Sequence, residues 1–346
     1  MKNFFFKKAI YSKIDKRFKI VKDSLEKDLK RDHLRIKVLY VGICGSDLHN
    51  YFKKPLRGKF NEWLSLSYSD GHEALGEVIE VGKNIHNFIN GNKVVIEAVN
   101  HCSICNMCMS GDYHLCISRK DLPWLGNGAF SEIIEVPAKV CYQVPKTKNL
   151  DVYTLSEPLS SAIHAYNKVN LVAGSKVLII GSGTIGLLLG ILLNNNKNIE
   201  TTIGYKNQLQ LKIIKDLKIN SLKTIDKNYD YQSKFDYVFE TSGNHKIIED
   251  CIYYSKKGST IVIIGASNSK SNFTYGQLLN KEIKILSSLC YGWKNNIREF
   301  ETAINFIYKN KKKLKKIITH VFSLKDINKA FDTAIKSNSI KILLKP

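Results

Sequence analysis

Between Lys176 and Gly265 the sequence alternates short apolar runs with helix-forming segments, and its first junction reads GSGTIG. No other feature constrains the fold as much. Lys176 to Ile180 predict a buried strand, and Ile185 to Leu193 an apolar helix. A strand at 200–205, a helix at 207–218 and a strand at 221–225 are expected next. A strand at 235–240, a helix at 245–256 and a strand at 259–265 complete the series. Strands alternating with helices give an α/β architecture, a parallel, doubly wound sheet. GSGTIG stands where a phosphate loop belongs, directly after a strand and opening a helix. Gly181 permits the tight turn, Gly183 lets the backbone approach a pyrophosphate, and Gly186 lets the helix pack on the strand. Thr184 and Ile185 lie at the helix N-terminus, whose amides and dipole favour phosphate. For this segment alone, a glycine-rich turn without ligand is the alternative.

Upstream, Cys102, Cys105, Cys108 and Cys116 fall within fifteen residues, with gaps of two, two and seven. Four thiolates at this spacing close around one tetrahedral zinc and leave no open position, so the site orders a lobe and does no chemistry. A bacterial ferredoxin run needs three residues before its fourth cysteine and a proline after it. Here the gap is seven and Ile117 follows. A disulfide pair is the other alternative.

With 346 residues, two domains are expected. Residues 7 to 41 alternate apolar and polar patches, and 71 to 99 place glycines between β-branched runs. Both predict a small, β-rich, barrel-like domain. The segment from 291 to 346 is expected to begin with a long helix, end in the strand KILLKP, and fold back on the first lobe. The domains are then 1–156 with 291–346, and 157–290. The first residues hold no apolar run of signal-peptide length, and no stretch reaches membrane-spanning length. Eight cysteines without an export signal fit a reducing, cytoplasmic setting. The net charge of +22 comes from 53 Lys+Arg against 31 Asp+Glu. The lysines are scattered through every segment, as on solvated surfaces, and the densest run, Lys309 to Lys316, is placed at a helix end. Neither a nucleic-acid nor a membrane partner is expected.

A second constellation is CGSDLH, Cys44 to His49, together with GHE at Gly71 to Glu73. Cys44 and His72 are good zinc ligands, and a catalytic zinc needs a third ligand and an open position. Glu157, in LSEPLSSAIHA, or Glu73 offers the oxygen. Ser46 and His49 suit a proton relay. Taken singly each has a plain alternative: Cys44 in a core, His72 capping a turn, Glu157 opening a helix before Pro158.

Together these motifs resemble the zinc-dependent medium-chain alcohol and polyol dehydrogenases, in the branch similar to sorbitol, idonate and galactitol-phosphate dehydrogenases. The match runs through GICGSDLH, GHEALGEVIEVG, the four-cysteine loop, GNGAFSEIIEVPA, SEPLSSAIHA, GSGTIG, ETSG at 240–243 and THVFSLKDINKAF with KILLKP. The resemblance implies a Rossmann-type domain and a GroES-like one. It implies two zinc ions, the catalytic one on Cys44, His72 and Glu157, with Glu73 ligating in some states or relatives and Thr241 beside the cofactor. A glutamate at 157 resembles the polyol branch. The residues before GHE read LSLSYSD, without the usual proline, and Gly91-Asn92 replaces the usual Gly-Asp.

The implied reaction interconverts a secondary hydroxyl of a polyol, sugar acid or sugar phosphate and its ketone, in a homodimer or homotetramer. A non-catalytic member of the fold and a basic nucleic-acid binder are the competing classes. The second strand of the nucleotide domain ends without the acid that holds a ribose 2′-hydroxyl. Tyr205 and Lys206 stand there, so the sequence leans to NADP over NAD. Lys53, Lys54, Arg57 and Lys59 are candidates for holding a substrate phosphate or carboxylate.

Overall fold

The computed structural model describes residues 4–12, 14–26, 28–51, 67–68, 70–122, 128–223, 229–267, 269–336 and 338–346. It divides into two compact units, Met1–Glu157 with Asn295–Lys311 and Ile318–Pro346, and Pro158–Lys294 with Lys312–Ile317. Lys53, Lys54, Arg57 and Lys59 lie outside the described residues.

The first unit opens with a hairpin, β1 (Phe4–Ser12) and β2 (Arg17–Leu25), paired from Phe4↔Leu25 to Ser12↔Arg17. The strand β3 (His33–Gly42) leads into the short helix α1 (Gly45–Tyr51). After β4 (Ser67–Tyr68) come β5 (Glu73–Val81) and β6 (Lys93–Ile96). The cysteine-rich segment is bracketed by a small ladder, β7 (Val99–Asn100) against β8 (Lys120–Asp121), and carries the single-turn helix α2 (Asn106–Met109). Next are β9 (Ile133–Pro137) and β10 (Cys141–Gln143), and the helix α3 (Ser156–Asn167) starts here and passes into the second unit at Pro158.

The second unit holds β11 (Lys176–Ile180), α4 (Thr184–Asn194), β12 (Glu200–Tyr205), α5 (Gln208–Asp216) and β13 (Asn220–Lys223). It continues with β14 (Phe235–Glu240), α6 (Ile248–Tyr254), β15 (Ser255–Ile263), α7 (Tyr275–Asn280) and β16 (Lys284–Ser287). The sheet order is β13-β12-β11-β14-β15-β16, and every pairing is parallel. That is the order of a doubly wound dinucleotide-binding sheet, as expected. Leu178, Ile180, Val238, Ile252 and Ile261 pack its core. Central strands covered on both faces need such continuous apolar runs.

The expected helix at 245–256 is shorter. A turn of 3-10 helix at His245–Ile247 precedes α6, and β15 already begins at Ser255, which pairs with Phe235. The last segment also departs from expectation at its start. A small hairpin, β17 (Trp293–Lys294) and β18 (Ile297–Arg298), precedes the long helix α8 (Glu299–Lys315). The final elements are β19 (Ile318–Ser323), α9 (Ile327–Ile335) and β20 (Lys341–Lys345).

Within the first unit, β20 pairs antiparallel with β3, Leu343 opposite Gly42. The chain thus returns to its own beginning, completing the order β10-β6-β5-β3-β20-β19 with β9 also on β3. The core beneath gathers Leu34, Ile36 and Val41 from β3, Ile134 and Val136 from β9, and Ile342 and Leu344 from β20. Phe331 of α9 packs on Phe18 with ring centroids 4.8 Å apart.

Candidate functional sites in the two units

The four-cysteine segment folds around its own sulfurs. All four Sγ atoms lie within 4.8 Å of one another. Cys105 Sγ is 3.5 Å from Cys108 Sγ, and Cys102 Sγ is 3.9 Å from Cys108 Sγ. None of these is a disulfide, since all four cysteines are free. A tetrahedron with 2.3 Å zinc–sulfur bonds has edges of about 3.8 Å, which these separations bracket. Backbone amides already point inward: Cys102 N–H donates to Cys116 Sγ and Cys105 N–H to Cys102 Sγ, both at 3.4 Å. Backbone donation from Cys108 is the main cause that draws the Cys105 thiol down to about 6. Burial and neighbouring thiols push Cys108 up to about 12. A cluster that favours one thiolate and resists the next is suited to a cation that charges all four.

The lobe is braced within itself by Arg119 and tied to the rest of its unit by Lys139 Nζ, which donates to the His101 carbonyl at 2.6 Å. Arg119 spans the Asp121 carboxylate and the His114 carbonyl, at 2.8 and 2.9 Å. Buried Glu97 accepts from the Tyr142 hydroxyl at 2.7 Å, and Arg298 faces the same oxygen at 3.4 Å.

The second cluster forms where β3 turns into α1 and where β5 begins. Asp47, in the first turn of α1, accepts from the Cys44 amide at 2.7 Å, which fixes the Cys44 turn. Gly71 takes φ +98°, a left-handed conformation, and a Cβ there would lie 2.7 Å from the Phe130 ring. Only glycine meets both demands without strain. That turn presents His72 beside Cys44. Ser46 Oγ is 3.5 Å from His72 Nε2, while Nδ1 lies 3.5 Å from Asp47 Oδ1 and 4.0 Å from Asp70 Oδ1.

Burial alone would favour a neutral His72. Asp47, the Cys44 thiol and Glu157 more than reverse that and hold the imidazole well above its ordinary value. Burial raises Glu157 to about 7, with His72 opposing the rise and Glu73 adding to it. Asp47 is pushed up by burial and then by Asp70. Its Oδ1 is buried and has no hydrogen bond among the described residues. Three carboxyl groups and a thiol thus crowd one imidazole, a donor set that a divalent cation suits. Among the described residues, the Cys44 and Glu157 ligand atoms do not join His72 in a 4.8 Å cluster, whereas Asp47, Asp70 and His72 do form one. His49 lies on α1 three residues beyond Ser46, one turn along.

Glu73 has a different partner. Both its oxygens accept from Lys341 Nζ, at 2.7 and 2.6 Å, and that ammonium also donates to the Ile43 carbonyl at 2.9 Å. Side-chain exposures of 2% and 0% make this a buried pair. Lys341→Met is expected to cost about 3–5 kcal/mol, because it strands a buried carboxylate. Urea midpoints read the loss, and adding Glu73→Gln should recover most of it. A Lys341→Met chain of parental stability would refute this account of the pair.

Sequence reasoning does not single out Asp47, Asp70 or Lys341. Lys341 leaves one trace, as the cation that opens the apolar run KILL, where a buried charge needs a partner.

In the second unit, the loop after β11 is built as expected. A Cβ on Gly186 would sit 1.8 Å from the Gly181 carbonyl, so helix and strand meet only without a side chain there. A Cβ on Gly183 would meet nothing within 4 Å, leaving that backbone open for approach. Gly183 caps α4, placing Thr184, Ile185 and Gly186 in its first turn. Thr241 Oγ1 donates to the Gly181 carbonyl at 2.7 Å. Ser182 Oγ is buried with no partner among the described residues, as a loop awaiting a polar ligand would leave it. Tyr205 ends β12, and the Lys206 amide donates to Gln210 Oε1 at 2.8 Å. Asn207 and Gln210 form a capping box, so this turn is fixed by α5. The acid at the end of β14, Glu240, is used locally, accepting from the Ser242 amide at 2.7 Å.

Comparison with known proteins decides the family. Residues 30–146 match the alcohol dehydrogenase GroES-like domain, and residues 151–345 match the glucose dehydrogenase C-terminus. The chain belongs to the zinc-type medium-chain alcohol and polyol dehydrogenases. It is similar to an L-idonate 5-dehydrogenase of Vitis vinifera, 27% identical over 329 residues, covering 90% of this chain and 87% of the relative. An L-threonine 3-dehydrogenase of Coxiella burnetii is 29% identical over 328 residues, 91% of this chain and 92% of the relative. The solved L-idonate 5-dehydrogenase of Escherichia coli superposes with a TM-score of 0.88 at 22% identity, covering 100% and 99% of the two chains. This medium-chain dehydrogenase is therefore an enzyme of the zinc-dependent, nicotinamide-linked type, with a β-rich GroES-like domain and a Rossmann sheet. Among its described residues no helix is long and apolar enough to cross a membrane.

Proposed function

We propose that the enzyme interconverts a secondary hydroxyl of a polyol, sugar acid or sugar phosphate and the corresponding ketone, using NADP in preference to NAD. The observation that carries the reading is the imidazole of His72, held on its Nδ1 edge by carboxylate and flanked by Cys44 and Glu157. Cys44, His72 and Glu157 would hold the catalytic zinc, and Cys102, Cys105, Cys108 and Cys116 the structural one. Bound to the first set, zinc supplies Lewis acidity to the substrate hydroxyl. Ser46 and His49 lead the released proton outward along α1. Glu73, matched to Lys341, sets the charge beside His72 and is available as an oxygen donor when that pair opens.

Residues 1–156 with 291–346 form the catalytic domain in this reading, and 157–290 the dinucleotide-binding one. The enzyme works in the cytoplasm as a homodimer or homotetramer, with neither nucleic acid nor membrane as partner. Assembly is supported by β16, an edge strand whose four residues are all exposed, Ile285 and Leu286 among them. The relatives' names support the substrate class: idonate oxidised at carbon 5 and threonine at carbon 3 both carry secondary hydroxyls there. Purified protein tested against polyols, sugar acids and their phosphates should oxidise at least one. Full zinc loading and cofactor binding without any such activity would favour a non-catalytic member of the fold.

The cofactor preference is testable by itself. Position 205 carries no carboxylate to repel a 2′-phosphate, and Lys206 would add a charge-assisted contact of roughly 1.5–3 kcal/mol, about a tenfold to hundredfold preference. NADPH should bind at least as tightly as NADH, by a margin that shrinks in high salt. Tyr205→Asp should move the preference toward NADH. A parent that prefers NADH tenfold would defeat this part alone.

A further inference from the structure

Asp70 is 5% exposed, a costly position for a carboxylate, and it immediately precedes the glycine that turns the chain into His72. Its backbone is fixed: the Asp70 carbonyl accepts from the Phe130 amide at 2.9 Å, and a Cβ on Gly128 would come within 2.3 Å of that carbonyl. Two contacts of its side chain bear on His72. Oδ1 accepts from the Gly71 amide at 2.9 Å, and the same oxygen lies 4.0 Å from His72 Nδ1. Asp47 Oδ1 approaches that nitrogen to 3.5 Å from α1, so one ring edge faces two carboxylates from two different segments.

A turn cap needs only an acceptor, and asparagine would serve without bringing a second buried charge beside Asp47. A carboxylate suits this position because its Oδ1 faces the Nδ1 edge of a ring that carries positive charge when its other nitrogen ligates a metal.

We infer that Asp70 is a second positioning carboxylate for His72, acting with Asp47 on the Nδ1 edge so that the opposite nitrogen is aimed at the metal and strengthened as its ligand. The inference rests on the proposed zinc set of Cys44, His72 and Glu157.

The experiment measures zinc release from the purified holoenzyme to a chromogenic chelator, with the four-cysteine zinc as internal standard. Asp70→Asn keeps the acceptor for Gly71 and removes only the charge. It should release the catalytic zinc roughly 10–100-fold faster, the usual scale for partners of metal ligands, while the four-cysteine zinc and the melting temperature stay at parental values. Asp70→Ala should accelerate release at least as much. Parental release from Asp70→Asn together with fast release from Asp70→Ala would reduce Asp70 to a turn cap and overturn the inference. Equal acceleration at both zinc sites would make Asp70 a general support of the fold, and would overturn it as well. His72→Ala separates the two levels of argument. If it keeps two zinc ions per chain, the zinc set itself is wrong, whatever Asp70 does.

Discussion

Turnover in His72→Ala is expected to fall by at least about 10³-fold, while the affinity for nicotinamide cofactor stays within a factor of two or so. The two halves of that result have separate origins. A metal centre contributes several kcal/mol of charge stabilisation, and each 1.36 kcal/mol is tenfold in rate. His72→Ala removes the proposed zinc ligand, whose Nδ1 lies 3.5 Å from Asp47 Oδ1, and takes from Asp47, Asp70 and Glu157 the imidazole they share. The cofactor loop, Gly181 to Gly186, belongs to the other compact unit and has its own supports in Thr241 and α4. Steady-state kinetics, fluorescence titration with NADPH and a zinc count on one preparation decide the matter. Activity within tenfold of the parent would exclude zinc-assisted chemistry at this site.

An effect as large, but on stability, is expected from Cys105→Ser. Closed zinc sites are worth on the order of 10 kcal/mol of folding free energy in small zinc modules. Here part of that is retained by the Arg119 contacts within the lobe and by Lys139 on the His101 carbonyl, so the fold survives in weakened form. The variant should hold one zinc per chain, melt at least ~10 °C lower and aggregate on warming. Aggregation follows from the lobe's surface, where Ile104 is 81% and Ile117 86% exposed. A one-zinc Cys105→Ser protein with a parental melting temperature would end the structural assignment.

The features legible in the sequence are those whose cause is local. GSGTIG, the four-cysteine spacing and the strand–helix alternation each depend on neighbours within about fifteen residues, and the structure reproduces their order. Boundaries are less legible where two elements compete. Ser255 extends a helical pattern by composition, yet pairing with Phe235 draws it into β15. The segment at 291 carries helix-forming residues only from Glu299, because Trp293 to Arg298 close a hairpin first. The supports of the site are the least legible. Asp47 reads as an ordinary first-turn acid, and Asp70 as a turn residue. Lys341 gives no hint of Glu73, because the partners are 268 residues apart and meet only through the pairing of β20 with β3.

That distance also orders events when the chain is made. Synthesis delivers Cys44, His72 and Glu73 early and the ammonium that balances Glu73 only after residue 341. In between comes Pro158–Lys294, most of a separate compact unit that can begin to fold before β20 is made. Until that strand docks, Glu73 can stay in water or bind passing cations, but it cannot be buried. The charge balance beside His72 is therefore a late product of biosynthesis: a ribosome-bound chain lacking β20 would carry the proposed zinc ligands without the ammonium that balances Glu73.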